Sequence, residues 1–269
     1  MVSLSLDTPE LAAKYDVVGQ RQFSHGKLLI NDLHIQTGEQ VLDVGAGTGL
    51  LAAHVAGIVG PRGRVVAIDP LPLRIELAKK KAPAQLEARV GNAEDLSAFS
   101  PNTFDVVYLN SVIHWISDKQ QVLEQIRRVL KPGGRLGFTT AAQDRPHDVE
   151  LIRTQVLKET GLAERAASSG GIPFKVSSED VPGLFQRAGF VVRQVEVRTI
   201  IDYQASAADV HEASLSSSFG NSHLATLSND ERQRVYAAFA VELEKRRDAK
   251  GIRLERHLIF AVAEKPEVS

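Results

Sequence analysis

Between residues 39 and 140, short uninterrupted apolar runs alternate with segments of helical periodicity. "QVLDV", "RVVAID", "LEARVGN", "FDVVYLN" and "RLGFTT" read as strands; "GLLAAHVAGIV", "LRIELAKKKA" and "DKQQVLEQIRRVL" read as the helices between them. Gly60-Pro61 closes the first helix and Lys131-Pro132-Gly133-Gly134 the last. Strands apolar on both faces need cover on both faces, which predicts an α/β fold with a doubly wound, mostly parallel sheet. Right-handed crossovers gather the strand C-terminal ends on one edge, where ligands of open sheets bind. The positions to watch are therefore Gly45 to Gly49, Asp69 to Leu71, Asn92 to Asp95, Asn110 to Trp115 and Thr140 to Gln143.

The flanks are less regular. "ELIRTQVLKETGL" and "SSEDVPGLFQRAG" read as helices, the second with Ser177 or Ser178 as N-cap and Gly189 as its stop. "FVVRQVEVRTI" alternates as a strand, "SAADVHEASL" and "DERQRVYAAFAVELEKRR" read as helices, and "HLIFAVAEK" is a last, antiparallel strand. Three regions result: a helical N-terminal lid at 1–38, a cofactor-binding core at 39–145, and substrate-side helices and final strands at 146–269. The third region carries a cap insertion over about 203–255, in which the polar stretch "SLSSSFGNSH" reads as a pocket lining or a solvent loop.

Charge narrows the partners. The 32 basic and 33 acidic side chains leave a net charge of −1, which gives no electrostatic reason to expect nucleic acid or an anionic membrane. No cysteine is present, which excludes disulfides, thiolate metal sites and cysteine nucleophiles. No apolar run reaches the ~20 residues of a membrane span. The first residues, "MVSLSLDTPELAAKYD", lack the basic start and apolar stretch of a secretory signal, so a cytoplasmic location is expected. The histidines form no metal-ligand spacing such as H-x-x-x-H, and no metal is expected. A homodimer is admitted.

Three glycines at alternate positions, Gly45, Gly47 and Gly49, stand between the first strand and its helix. Glycine there permits positive φ or close approach of a ligand to the backbone. A dinucleotide fingerprint reads G-x-G-x-x-G; Gly-Ala-Gly-Thr-Gly is one residue shorter and does not meet it. A tight turn without a ligand is the plain alternative for such a triplet taken alone. Asp69, ending the second strand, reads equally as an acceptor for ribose hydroxyls or as a helix N-cap. Asp43, inside an apolar strand, must be hydrogen-bonded, and either braces the loop or holds a ligand's ammonium group.

"VLDVGAGTG", "VVAIDP", "GNAEDL", "FDVVYLNSVIHW" and "VLKPGGRL" follow one another as in the class I S-adenosylmethionine-dependent methyltransferases. The chain resembles their small-molecule branch, which includes the ubiquinone and menaquinone C-methyltransferases, and the resemblance covers about residues 39 to 140. It implies a Rossmann-like core with S-adenosylmethionine as cofactor. Gly45, Ala46, Gly47 and Gly49 would pass under the methionine and ribose, and Asp43 would lie near the methionine amino group. Asp69 would bind the ribose, Pro70 and Leu71 would flank the adenine, and Asn92 and Ala93 would meet its ring, with Asn92 where relatives often carry Asp. Asn110 and Ser111 would lie between cofactor and substrate, while Tyr15 and His25 would belong to the lid. The stretch "DPLPLRI" departs from the family's Asp-x-Ser-x-x-Met; Arg74 either covers the adenine with its guanidinium plane or is a solvated helix residue.

A sulfonium methyl is already activated, so the protein must chiefly align an acceptor with it, adding a base only where a proton must leave. His114 is the base candidate, and packing beside Trp115 as a pocket wall is its plainer role. The expected function is methyl transfer to the oxygen, nitrogen or carbon of a small metabolite. The alternatives are a methyltransferase fold used for binding or for a non-methylating reaction, and a nicotinamide-dependent oxidoreductase, which the short glycine spacing disfavours.

Overall fold

The computed structural model describes residues 9–167, 174–216, 224 and 226–267, with side chains for all of these except 9–18 and 213–216. A long helix, α1 (Pro9–Asp32), precedes the alternation β1 (Gln40–Val44), α2 (Leu50–Val59), β2 (Arg64–Asp69), α3 (Pro72–Lys81), β3 (Leu86–Val90), β4 (Phe104–Asn110), α4 (Lys119–Val129) and β5 (Leu130–Ala141). There follow α5 (Asp148–Glu159), α6 (Ala163–Ala167), α7 (Val181–Arg187), β6 (Val191–Gln204), α8 (Ala207–Ser216), α9 (Asn229–Glu244), β7 (Arg247–Asp248) and β8 (Gly251–Glu264). The sheet order is β3-β2-β1-β4-β5-β8-β6, with β7 paired to β8. β1 pairs in parallel with β2 and β4, β2 with β3, and β4 with β5, while the far edge is antiparallel. The doubly wound α/β fold expected from the apolar runs is the fold observed.

Side-chain chemistry explains the core elements. Val41, Leu42, Val65, Ala67, Val106 and Val107 are all fully buried, as strands covered on both faces require. α4 buries Val122, Leu123, Ile126 and Val129 along one stripe, and Asp118 caps it by accepting from Gln121 N at 2.9 Å. The Lys131-Pro132-Gly133-Gly134 stretch stops α4 as expected but already belongs to β5, which begins five residues earlier than "RLGFTT". Leu130 lies opposite Phe104 and Arg135 opposite Val106, so β5 bulges between them. Lys265 stitches the bulge, accepting from Gly133 N and donating to Gly134 O, both at 2.9 Å. A further correction concerns α7: Asp180, not Ser177 or Ser178, precedes it, and Ser177 Oγ instead accepts from Asp180 N in the preceding turn.

The chain divides into two compact units. The first comprises Met1–Thr140, Phe174–Val197 and Ile259–Ser269, and the second Ala141–Pro173 and Arg198–Leu258. The second has its own apolar cluster, including Ile152, Val156, Leu157, Val210, Val235, Phe239, Leu243, Ile252 and Leu254. Its α9 opens with a capping box in which Ser228 Oγ accepts from Glu231 N and Glu231 accepts from Ser228 N. Most of "SLSSSFGNSH" lies outside the described residues. Among the described residues no helix is long and apolar enough to cross a membrane.

Candidate functional site

A cleft of about 410 Å³, solvent at its mouth included, opens in the first unit at the C-terminal ends of β1 and β4. Asp43, Gly45, Ala46, Gly47 and Asn110 line it, as does Thr48. Leu50 and Leu51 of α2 and Gly19, Gln22 and Phe23 of α1 complete the wall.

The glycine loop owes its path to positive φ at Gly45, Gly47 and Gly49, at 78°, 57° and 80°. At Gly45 a Cβ would also meet Val112 Cγ2 at 2.4 Å. The loop is tied to the end of β2: Gly45 N and Ala46 N both donate to Ile68 O, at 2.8 and 2.9 Å, and Gly47 N donates to Asp69 Oδ2 at 2.9 Å. Asp69 Oδ1 accepts from Leu71 N at 3.0 Å, so the buried Asp69 carboxylate braces the loop and turns the chain into α3. This brace is a role that the sequence did not offer for Asp69.

Asp43 is 2% exposed, and Tyr108 Oη donates to its Oδ2 at 2.7 Å across the β1–β4 pair. Burial pushes the Asp43 carboxyl up to about 7; the Tyr108 hydrogen bond opposes the rise, and the neighbouring Asp69 adds to it. The same burial, with Asp43 alongside, holds the Tyr108 hydroxyl well above its usual range. Asp43 therefore changes charge near neutrality at the floor of the cleft.

Asn110 closes the cleft against α1. Its Nδ2 donates to Gln22 O at 2.9 Å and its Oδ1 accepts from Thr139 Oγ1 at 2.7 Å. Ser111, next in the chain, holds φ at 61°, and its N–H reaches both Thr139 O and Thr139 Oγ1, at 3.0 and 3.1 Å. Its Oγ lies 3.0 Å from Nε2 of the buried His25. Gly26 permits the close approach of α1, since a Cβ there would lie 2.7 Å from Leu51 Cδ2 and 2.8 Å from Asn110 Nδ2.

The other expected residues do not line this cleft. Pro70 and Leu71 follow β2, with Leu71 buried as the residue preceding α3. Arg74 lies within α3, half-buried. Asn92 spends its Oδ1 on Glu94 N at 3.1 Å, and Ala93 beside it is buried. His114 sits in a 3₁₀ turn (Ile113–Trp115), with Nδ1 3.0 Å from Thr140 Oγ1 and its ring tilted against Trp115 at 5.7 Å. Tyr15 falls within α1, and its side chain lies outside the described residues. Gly19, Gln22 and Phe23 were not singled out in the sequence; Gly19 and Gly26, seven apart on one helix face, are the signal that marked this close packing.

Residues 42–138 match the family described as Methyltransferase domain. The chain is similar to the demethylmenaquinone methyltransferase of Bacillus cereus strain B4264, at 35% identity over 136 residues, 47% of this chain and 57% of the relative. The match thus spans little more than half of that relative's length. Among solved structures, the fold is similar to a SAM-dependent methyltransferase from Aquifex aeolicus (TM-score 0.56, 16% identity, 98% of this chain and 100% of that one). It is similar also to Haemonchus contortus phosphoethanolamine N-methyltransferase 2 in complex with phosphomonomethylethanolamine and S-adenosylhomocysteine (TM-score 0.60, 18% identity, 99% of this chain and 61% of that one). Sequence match and fold together place a methyltransferase domain at residues 42–138, within the fold shared by these solved methyltransferases.

Proposed function

We propose that the chain transfers the methyl group of S-adenosylmethionine to an oxygen, nitrogen or carbon atom of a small-molecule metabolite. The observation that carries this reading is the charge of the cleft. Asp43 and Asp69, both buried, stand beside a glycine loop whose first three N–H groups are already spent on Ile68 O and Asp69. A pyrophosphate site needs free N–H groups, and the spent N–H groups of this loop oppose a dinucleotide. The two carboxylates suit a cofactor that brings an ammonium and a sulfonium. Asp43, one oxygen held by Tyr108, has the other for the ammonium. The cofactor would supply an electrophilic methyl group, and the chain's residues would hold and orient it in a walled cleft.

Asp69, Pro70, Leu71, Arg74, Asn92, Ala93 and Ser111 belong to the same proposed cofactor site, and Tyr15 and His25 to a lid formed by α1. Choice of acceptor is assigned to residues outside 42–138, because specificity resides in what surrounds a shared scaffold. A cytoplasmic location, supported by the absence of cysteine, belongs to the same proposal. So do the lack of a nucleic-acid partner, supported by the balanced charge, and a homodimer, which light scattering would check.

Calorimetry with S-adenosylhomocysteine and, separately, NADH tests the reading. Binding of the first alone is expected; binding of NADH alone would refute it. Incubation with methyl-labelled S-adenosylmethionine and a deproteinised metabolite extract is then expected to yield a labelled small molecule.

A further inference from the structure

We propose that His25 is the proton acceptor of this reaction, reached through the hydroxyl of Ser111. The inference rests on the methyltransferase reading and names the residues that would prepare the acceptor. Ser111 follows β4 in a left-handed conformation that a non-glycine residue avoids. Such strain persists only where the surroundings impose it, and here two hydrogen bonds from Ser111 N to Thr139 do so. The result is a hydroxyl held 3.0 Å from His25 Nε2, on a histidine 2% exposed. A hydroxyl in hydrogen-bond reach of an imidazole is the arrangement by which a proton is passed on.

Position distinguishes this pair from His114 and Thr140. The residues flanking His25–Ser111 line the cleft: Gln22 and Phe23 on the α1 side, and Asn110 on the β4 side. His25 and Ser111 stand just behind those lining residues, whereas neither His114 and Thr140 nor the residues flanking them line the cleft. His25 also arrives on α1, and Asn110 fastens α1 at Gln22 O, so the pair exists only while α1 is seated.

The step balances for an acceptor bearing an O–H or N–H group. The acceptor's lone pair forms the new bond to the methyl carbon as the carbon–sulfur bond breaks, its electrons going to sulfur. The acceptor's proton passes to Ser111 Oγ while the Ser111 proton passes to His25 Nε2, leaving an imidazolium that later loses its proton to water.

Three variants, His25→Asn, His25→Ala and Ser111→Gly, test the proposal by two readouts. Glycine adopts the φ of residue 111 without strain, so Ser111→Gly keeps the fold while removing the hydroxyl. Calorimetry with S-adenosylhomocysteine gives the affinity of each variant and so the cofactor concentration that saturates it. Label transfer into the metabolite extract at saturating S-adenosylmethionine is expected to fall at least about 100-fold. Added imidazole should restore transfer to His25→Ala and not to Ser111→Gly. A loss of S-adenosylhomocysteine affinity with an unchanged saturated rate would overturn the proposal and leave His25 as a fastener of α1. Failure of the imidazole rescue would overturn it too. Failure of the wild-type protein to bind S-adenosylhomocysteine would instead overturn the methyltransferase reading, and this inference with it.

Discussion

A carboxyl that titrates near neutrality makes cofactor affinity depend on pH in a calculable way. In the proposed site an ammonium group would be held by the ionised form of Asp43, so binding would expel the proton that burial favours. With the carboxyl at about 7, the ionised fraction rises from about one-tenth at pH 6 to about nine-tenths at pH 8, and the Kd for S-adenosylhomocysteine falls about tenfold, or about 1.4 kcal/mol. Calorimetry at pH 6, 7 and 8, in buffers of different ionisation enthalpy, should also report about half a proton released on binding at pH 7. Asp43→Asn should abolish the pH response and bind more weakly at pH 8. Its effect on the ligand-free protein has the opposite sign. The folded-state value of Asp43 lies above that of an unfolded aspartate, so the stability it contributes is complete below about pH 4 and is lost as pH rises through about 7. The asparagine, which can still accept from Tyr108, should therefore unfold later than wild type at pH 8, with a ceiling on the order of 4 kcal/mol. A Kd independent of pH in the wild type, or an equal pH response in Asp43→Asn, would show that Asp43 does not hold the ammonium.

The remaining predictions concern the loop and the second unit. Asp69→Ala strips Gly47 N and Leu71 N of a charged acceptor; a loss of about 3 kcal/mol is expected in urea titration even without ligand, whereas a purely ribose-binding role would leave the ligand-free stability intact. Gly45→Ala places a methyl against Val112 at positive φ and should cost about 2–4 kcal/mol; a double variant with Val112→Ala should recover part of that loss in thermal melts, and no recovery would show that the backbone conformation alone sets the cost. Ser228→Ala removes one half of the α9 capping box and should destabilise by about 1 kcal/mol, seen as faster amide exchange in the first turn of α9 if the cap works as described.

The sequence made the core legible because its signals are local. An apolar run such as "RVVAID" is β2 itself, residue for residue, and the spacing of Gly45, Gly47 and Gly49 announced the backbone path that their positive φ confirms. The candidate site was legible in half. Asp43, Gly45, Ala46, Gly47 and Asn110 line the cleft as a strand-end argument predicts. Gln22 and Phe23 were missed because nothing local marks a helix residue for a site formed by residues far along the chain. Asn110 meets Gln22 across 88 positions, and Ser111 meets His25 across 86.

Taken by itself, the order of residues determined which segments form strands and helices, that the sheet is mostly parallel, and that glycine must occupy the first βα turn. Those properties follow from apolar periodicity and backbone sterics, which act over a few residues. Tertiary structure alone decided that the loop's N–H groups are consumed by β2, that Asp69 braces rather than merely awaits a ligand, and that Asp43 titrates near neutrality. It also decided that α1 brings His25 to Ser111. Each of these depends on burial and on partners from distant segments, because a carboxylate's charge and a hydroxyl's direction are set by the groups packed around them.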